Sequence, residues 1–493
     1  MRSKIVLGFL VVAVWSGLGA CGGTTRTEEE NNEPNRKGKT VESKKKYEND
    51  WAPSLSEDGL KMAFLSGYDS ADPTKTENNT YIAYKYDASV ATPVVSKASS
   101  SVSGEHTEAV ISPDGNWIAI VAVESGKTPQ LYIQSFSDSS LSVRVAGSEV
   151  SADDVTRIFP AFSPDASPLL AYERWNADGT GSLEMVSFSS DGSSITLGTP
   201  VTVPDLVTSG SRVLESRPRW NRVSSGYELI TRVKANPDPY FIRRTFTDLN
   251  LTQVGTTNSG EGAIDRLLED VSFSVGSAGL VFTSSNAYAS RRINPLGDMS
   301  PSDVDPVIYE VFVQEDVRLL SLADNNTVTT VIGLPFFSVH SISPALDDAM
   351  VLVTGVSAFA CGYQRSESEL VARQGYGSSM SLYNAGTAVE SRLHITIDDN
   401  GNRALSSDYC AAFNREDPSS GDWSEVNQPV DLEIRGAVLG DASAAGVYPV
   451  LFQSWHSGQD EIIYLTFSLD SEQAPTSPTF VNLSKKLRAA TFR

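Results

Sequence analysis

From about residue 50 onward the chain alternates short apolar runs with clusters of Gly, Pro, Asp, Ser and Asn, and the runs recur in a fixed order. The clearest unit is Ala109-Val110-Ile111-Ser112-Pro113-Asp114-Gly115-Asn116-Trp117-Ile118-Ala119-Ile120-Val121, followed by Gln130-Leu131-Tyr132-Ile133. It reads as strand, turn, strand, loop, strand: the runs are too short for buried helices, rich in β-branched and aromatic residues, and bounded by turn formers. In the turn the proline presets φ, the aspartate can bond its own backbone, and the glycine accepts the positive φ that closes the hairpin.

The same order returns at Ser56-Glu57-Asp58-Gly59 with Met62-Ala63-Phe64, and at Phe162-Ser163-Pro164-Asp165. Weaker copies begin near Pro218, Val271, Ile342, Ile395 and Ala437, each with a downstream strand such as Tyr240-Phe241-Ile242 or Ile462-Ile463-Tyr464. The spacing is mostly roughly 50 to 57 residues, in the range of propeller blades with loop insertions. About eight units can be counted on this periodicity. The one starting at Ile395 has no obvious fourth strand, so seven blades stay open beside eight. Repetition of one strand order favours a propeller over a β-sandwich or a row of small β domains. No stretch of useful length shows a helical period, so the expected fold class is all-β: a β-propeller over residues 51–493.

A Ser-Pro-Asp-Gly strand followed by an Ile-Tyr strand resembles the TolB-type, WD40-like β-propeller repeat, most specifically in the first three copies. The similarity is to the propeller part alone. The α/β domain that precedes the propeller in TolB proteins has no counterpart between linker and repeat, and those proteins are not lipid-anchored, so their envelope role is not carried over.

The N-terminus tells of a compartment. Met1-Arg2-Ser3-Lys4 leads into an apolar run from Ile5 to Trp15, the build of a secretory signal and too short for a mature membrane span. The run ends in Leu18-Gly19-Ala20-Cys21, which resembles the lipobox of bacterial lipoproteins. That resemblance implies cleavage of residues 1–20 and a lipid on Cys21, hence membrane as a partner through the lipid. With no aspartate after Cys21, it implies the outer membrane of a Gram-negative cell, the domain facing periplasm or exterior; in a Gram-positive host it would be a cell-surface lipoprotein. Residues 21–50 have almost nothing apolar to bury and read as a disordered linker. Seven basic residues there (Arg26, Arg36, Lys37, Lys39, Lys44, Lys45, Lys46) balance seven acidic ones (Glu28, Glu29, Glu30, Glu33, Glu42, Glu48, Asp50), so the acidic excess behind the chain's formal net charge of −22 lies in the propeller. Such an acidic chain without a basic stripe repels phosphate backbones, so nucleic acid is not expected as a partner. Cys361 and Cys410 form an even pair in an exported chain and are expected as a disulfide, worth about 4 kcal/mol for a loop of that length.

Catalytic signatures are sparse. No Gly-x-Ser-x-Gly elbow is present, and Ser112-Pro113-Asp114-Gly115 misses the sialidase aspartate box by one position, which leaves Asp114 a structural reading. The four histidines, His106, His340, His394 and His456, stand in no metal-ligand spacing, so neither metal nor cofactor is expected. Asn176-Ala177-Asp178-Gly179 looks like half a calcium loop, but Arg174 occupies the place of the first carboxylate, which favours a tight turn. What a propeller offers is its channel mouth. The residues just ahead of each Ser-Pro-Asp-Gly strand, Asp50, His106, Glu108, Arg157, Arg217, Asp270 and His340, are the expected ring there. The expected role is non-catalytic binding of an envelope protein or peptide. The alternative is an enzyme acting on glycan or peptidoglycan fragments, with carboxylates such as Glu108 and Asp270 as acid and base.

Overall fold

The repeat folds sheet by sheet, each from one continuous stretch of chain. The computed structural model describes residues 50–67, 80–146, 155–164, 169–202, 213–214, 218–223, 226–234, 240–245, 251–254, 273–276, 279–292, 309–320, 328–330, 338–366, 369–397, 402–407, 433–456 and 459–490. All of these lie in one compact unit, Ser43–Arg493.

The first blade holds β1 (Asp50–Leu55), β2 (Lys61–Ser66), β3 (Ile82–Asp87) and β4 (Ser96–Lys97), and the second β5 (Glu105–Ile111), β6 (Trp117–Val123), β7 (Gln130–Ser135) and β8 (Ser142–Arg144). The third holds β9 (Thr156–Phe162), β10 (Leu169–Trp175), β11 (Gly181–Ser190), β12 (Ile195–Leu197) and β13 (Val201–Thr202). The fourth holds β14 (Val213–Leu214), β15 (Arg219–Val223), β16 (Gly226–Lys234), β17 (Tyr240–Thr245) and β18 (Leu251–Val254), and the fifth β19 (Phe273–Gly276), β20 (Gly279–Arg292), β21 (Tyr309–Leu320) and β22 (Val328–Thr330). The sixth holds β23 (Ser338–Pro344), β24 (Met350–Ser366), β25 (Glu369–Asn384), β26 (Val389–Ile397) and β27 (Arg403–Ser406). The seventh holds β28 (Glu433–Leu439), β29 (Val447–His456), β30 (Gln459–Leu469) and β31 (Pro475–Asn482), and the helix α1 (Leu483–Ala490) follows it. Every sheet is antiparallel and of four or five strands, and each touches the next, the seventh touching the first. This is a seven-bladed β-propeller.

The core lies between blades, which explains the unbroken apolar runs. On β2, Met62 and Phe64 pack toward the seventh blade with Leu451 and Ile462, while Ala63 and Leu65 pack toward the second with Ile118 and Ile120. On β6, Ala119 and Val121 turn to the third blade with Phe162 and Tyr172. A strand buried on both faces needs apolar residues at every position, and its period of two then assigns alternate side chains to opposite neighbours.

The Ser-Pro-Asp-Gly turn is a closed hydrogen-bond unit. Ser112 Oγ donates to Asp114 Oδ1 at 2.5 Å and accepts from the Trp117 amide at 2.9 Å, while Asp114 Oδ1 also takes the Asn116 amide at 3.0 Å. Gly115 sits at φ 68°, where a side chain would be strained. Ser56, Asp58 and Gly59 repeat the unit in the first blade.

Seven sheets, not eight, arise because Ile395-Thr396-Ile397 ends β26 and pairs with β27 as the outer hairpin of the sixth blade. Glu433 and Ile434 begin β28, the innermost strand of the last blade. The all-β reading also passes over α1: Leu483 and Leu487 are one helical turn apart and buried, and Asn482 Oδ1 caps the helix by accepting from the Lys485 amide at 2.8 Å. Among the described residues no helix is long and apolar enough to cross a membrane.

Candidate functional site

Five of the described inner strands share a distortion at their leading ends, while the β15 and β19 ladders run regularly. The ladder shifts between Trp51 and Ser54 on β1, His106 and Glu108 on β5, Val339 and Ser341 on β23, and Ile434 and Gly436 on β28; on β9 the shift falls opposite Ala171 and Glu173. Ala52 and Phe159 each take φ 54° there, a left-handed conformation uncommon outside glycine. A bulge bends its strand and re-aims the neighbouring side chains. Of the expected ring residues, Asp50, His106, Glu108, Arg157 and His340 sit in this region.

Asp50, His106, Glu108 and Arg157 are all buried. His106 Nδ1 accepts the Ala83 amide of the first blade at 2.9 Å, which leaves the ring proton on Nε2, 3.4 Å from the Val102 carbonyl. Burial holds this imidazole neutral, with its pKa lowered to about 4. Glu108 Oε1 reaches across to the third blade and accepts the Phe159 amide at 3.0 Å. His340, half-buried, donates from Nδ1 to the Ile434 carbonyl of the seventh blade at 2.7 Å. Asp50 Oδ2 lies 3.4 Å from Arg488 of α1, yet burial outweighs that cation and raises the carboxyl to about 6. What the geometry assigns these side chains is the holding of neighbouring elements. Cys21, Arg217, Asp270 and Cys410 lie outside the described residues. Cys361 lies on β24, its backbone opposite Arg373 on β25.

Arg157 opens a polar seam that the sequence reading did not anticipate. It hydrogen-bonds the oxygen of Tyr172, which donates to Glu184 Oε2 at 2.8 Å, and Glu184 Oε1 lies 3.5 Å from Arg174 Nε. Burial, together with Glu184, pushes the Tyr172 phenol far up. On β10 beside it, Glu173 is 1% exposed; Oε2 accepts from Trp175 Nε1 at 3.0 Å, and Oε1 has no hydrogen-bond partner among the described residues. Burial, with the Glu108 carboxylate adding to it, raises Glu173 to about 8, so it is a neutral acid at pH 7. The available signal was a charge inside an otherwise apolar strand, Leu169 to Tyr172 running into Glu173.

At the opposite ends of the blades Glu57, Asp347 and Asp441 bring carboxylate oxygens within 4.8 Å of one another, the one group of three among the described residues that could hold a metal. Asp441 is engaged already: its oxygens accept the Asp347 amide at 3.0 and 3.2 Å, and its own amide donates to the Glu57 carbonyl at 2.8 Å. The group thus ties the turns of the sixth, seventh and first blades. Asn176 to Thr180 forms the tight turn between β10 and β11, with Asp178 Oδ1 taking the Thr180 amide at 2.9 Å.

Two hairpins outgrow their blades. Val356 is the last residue of β24 to pair with β23, and Met380 the first of β25 to pair with β26; beyond them, 357–366 and 369–377 pair only with each other among the described strands. In the fifth blade β20 and β21 do the same past Phe282 and Arg318. Ser338 opposite Val356 places this growth at the leading ends of the inner strands, in two neighbouring blades.

Fold and site together define, among the described residues, a propeller of seven blades in which His106, Glu108 and His340 bond to a neighbouring blade, Asp50 pairs with α1, and two ribbons extend past the blade pairing. No protein-family model matches the chain, and no curated protein matches it. Solved structures similar to it include TolB from Acinetobacter baumannii, with 14% identity and a TM-score of 0.36 over 68% of this chain; the chain spans 63% of that protein's length. An oligogalacturonate lyase in complex with manganese is 11% identical over 86% of this chain and 90% of that one, with a TM-score of 0.45. The β-propeller domain of the Trilobed protease from Pyrococcus furiosus is 10% identical over 89% of this chain and 98% of that one, with a TM-score of 0.42.

Proposed function

We propose that this chain is an outer-membrane lipoprotein, anchored through Cys21, whose propeller is a non-catalytic docking module for an envelope protein or peptide. One observation carries the reading. The described charged residues at the leading ends of the inner strands are engaged in holding the ring, while the same end of the molecule carries two paired ribbons longer than a blade requires. Among the described strands the ribbons pair only within themselves, and segments that extend beyond a rigid scaffold are where recognition concentrates. Glu108 would make a poor acid or base: an oxygen that carries the Phe159 amide cannot give it up without loosening two blades. Anchoring raises the module's effective concentration at the membrane, so a weak interaction would be populated.

The test pairs two variants in intact envelopes. Cys21→Ala should move the protein from the membrane to the soluble fraction. A chain in which residues 357–378 are replaced by a two-residue turn, shown to melt as the parent does, should lose the proteins that site-specific crosslinking captures from wild type. Identical captured sets from the parent and the shortened chain would overturn the docking reading. Membrane retention of Cys21→Ala would overturn the anchor.

A further inference from the structure

Ring closure differs from the other interfaces in how it is made. As at every other interface among the described blades, no strand ladder crosses from the seventh blade to the first, β1 pairing with β2 and β31 with β30; the difference is a helix, α1, laid across the joint. Leu483 and Leu487 enter one buried cluster with Phe64, Tyr84 and Tyr86 of the first blade and Leu451, Ile462 and Tyr464 of the seventh. Ser484 Oγ accepts the Ile462 amide at 2.8 Å. Arg488 then faces both sides, 3.4 Å from Asp50 on β1 and 4.0 Å from Glu461 on β30, and Glu461 is held in turn by Arg403 of the sixth blade at 2.7 Å.

We propose that α1 is a releasable strap that closes the propeller, that Arg488 is its fastening, and that its release opens the ring between the seventh and first blades alone. Three features make the strap releasable. It is eight residues long, too short to persist as a helix once undocked. It is the last described element, so undocking displaces no other described strand. Arg488 does not fully offset the burial of Asp50, whose carboxyl stays above its ordinary range, so the ion pair fixes position more than it grips. The inference stands whether or not Cys21 carries a lipid.

Hydrogen exchange of the full chain read by mass spectrometry tests it. Arg488→Ala and, separately, Leu487→Ala should speed amide exchange at least about tenfold in β1 and in β28 to β30 while leaving β5 to β11 at wild-type protection. Trp220→Phe is the control. It removes the 2.9 Å bond from Trp220 Nε1 to the Ala161 carbonyl between the fourth and third blades, and should loosen that interface without touching β1. Wild-type protection of β1 in both α1 variants, or an equal rise in all seven blades, would overturn the strap.

Discussion

Replacing Glu173 by Gln should make this protein more stable at neutral pH, although the side chain is buried and hydrogen-bonded. The folded chain holds the carboxyl at about 8 against 4.5 for an ordinary glutamate, because burial penalises the anion and the Glu108 carboxylate adds repulsion. A group whose folded pKa is raised contributes stability at acid pH that is lost as pH climbs from the ordinary value to the folded one. At about 1.4 kcal/mol per unit, roughly 3 kcal/mol is gone by pH 7 and about 4 by pH 8, and the loss levels off near about 5 above that. Glutamine keeps an oxygen for Trp175 Nε1, which Glu173 now serves at 3.0 Å, and puts an amide N–H₂ where the carboxyl has an oxygen without a partner. Urea unfolding of both proteins from pH 4.5 to 9 should therefore give curves that coincide at the acid end and separate by about 3 kcal/mol at pH 7. A difference that stays constant across the range, or a variant less stable at pH 8, would refute the account of Glu173 as a buried neutral acid.

Two more predictions use other residues. The His106 contribution to wild-type stability should fall by about 3 kcal/mol between pH 6.5 and 4, because the unfolded chain protonates His106 near 6.5 while the folded chain holds it neutral down to about 4. Asp50, between 3.8 and about 6, and Glu173, between 4.5 and about 8, work oppositely, so the effect is read as the difference between wild type and His106→Gln in urea melts at pH 6.5, 5 and 4. Gly59→Ala and Gly115→Ala should differ although both glycines sit in the same turn at φ near 70°. A Cβ at residue 59 meets the Pro449 ring at 2.1 Å and one at 115 meets the flexible end of Lys61 at 2.8 Å, so thermal melts should show the first costing about 1–3 kcal/mol more.

The parts of the fold legible in the sequence are those whose cause is local. Ser112, Pro113, Asp114 and Gly115 bond within one turn, so four letters specify it, and the apolar runs reveal strands buried on both faces. Blade number was less legible because Ile395 to Gly401 has the composition of a blade's start, and only the length of β24 and β25 shows that it is the sixth blade's edge. The roles of the leading-end charges were hidden for the same reason. His106 finds its partner 23 residues away, Glu108 51 away, His340 94 away, and Arg488 reaches back 438 residues to Asp50. No window of sequence contains such a pair.

That separation also bears on where recognition can reside. A charge at a channel mouth is available to a ligand only if the ring does not need it, and the structure gives Asp50, His106, Glu108 and His340 partners on other elements. Removing one would leave a buried polar group without its bond, a loss of about 1–3 kcal/mol, so binding chemistry built on them would be coupled to the integrity of the blades. The ribbons of the fifth and sixth blades differ in their backbone pairing: past Phe282 and Val356 their described strands pair only within the ribbon and with no inner strand. Under the docking proposal, the ring is fixed by its charges and recognition falls to the two hairpins, so the shortened-hairpin chain separates stability from recognition experimentally.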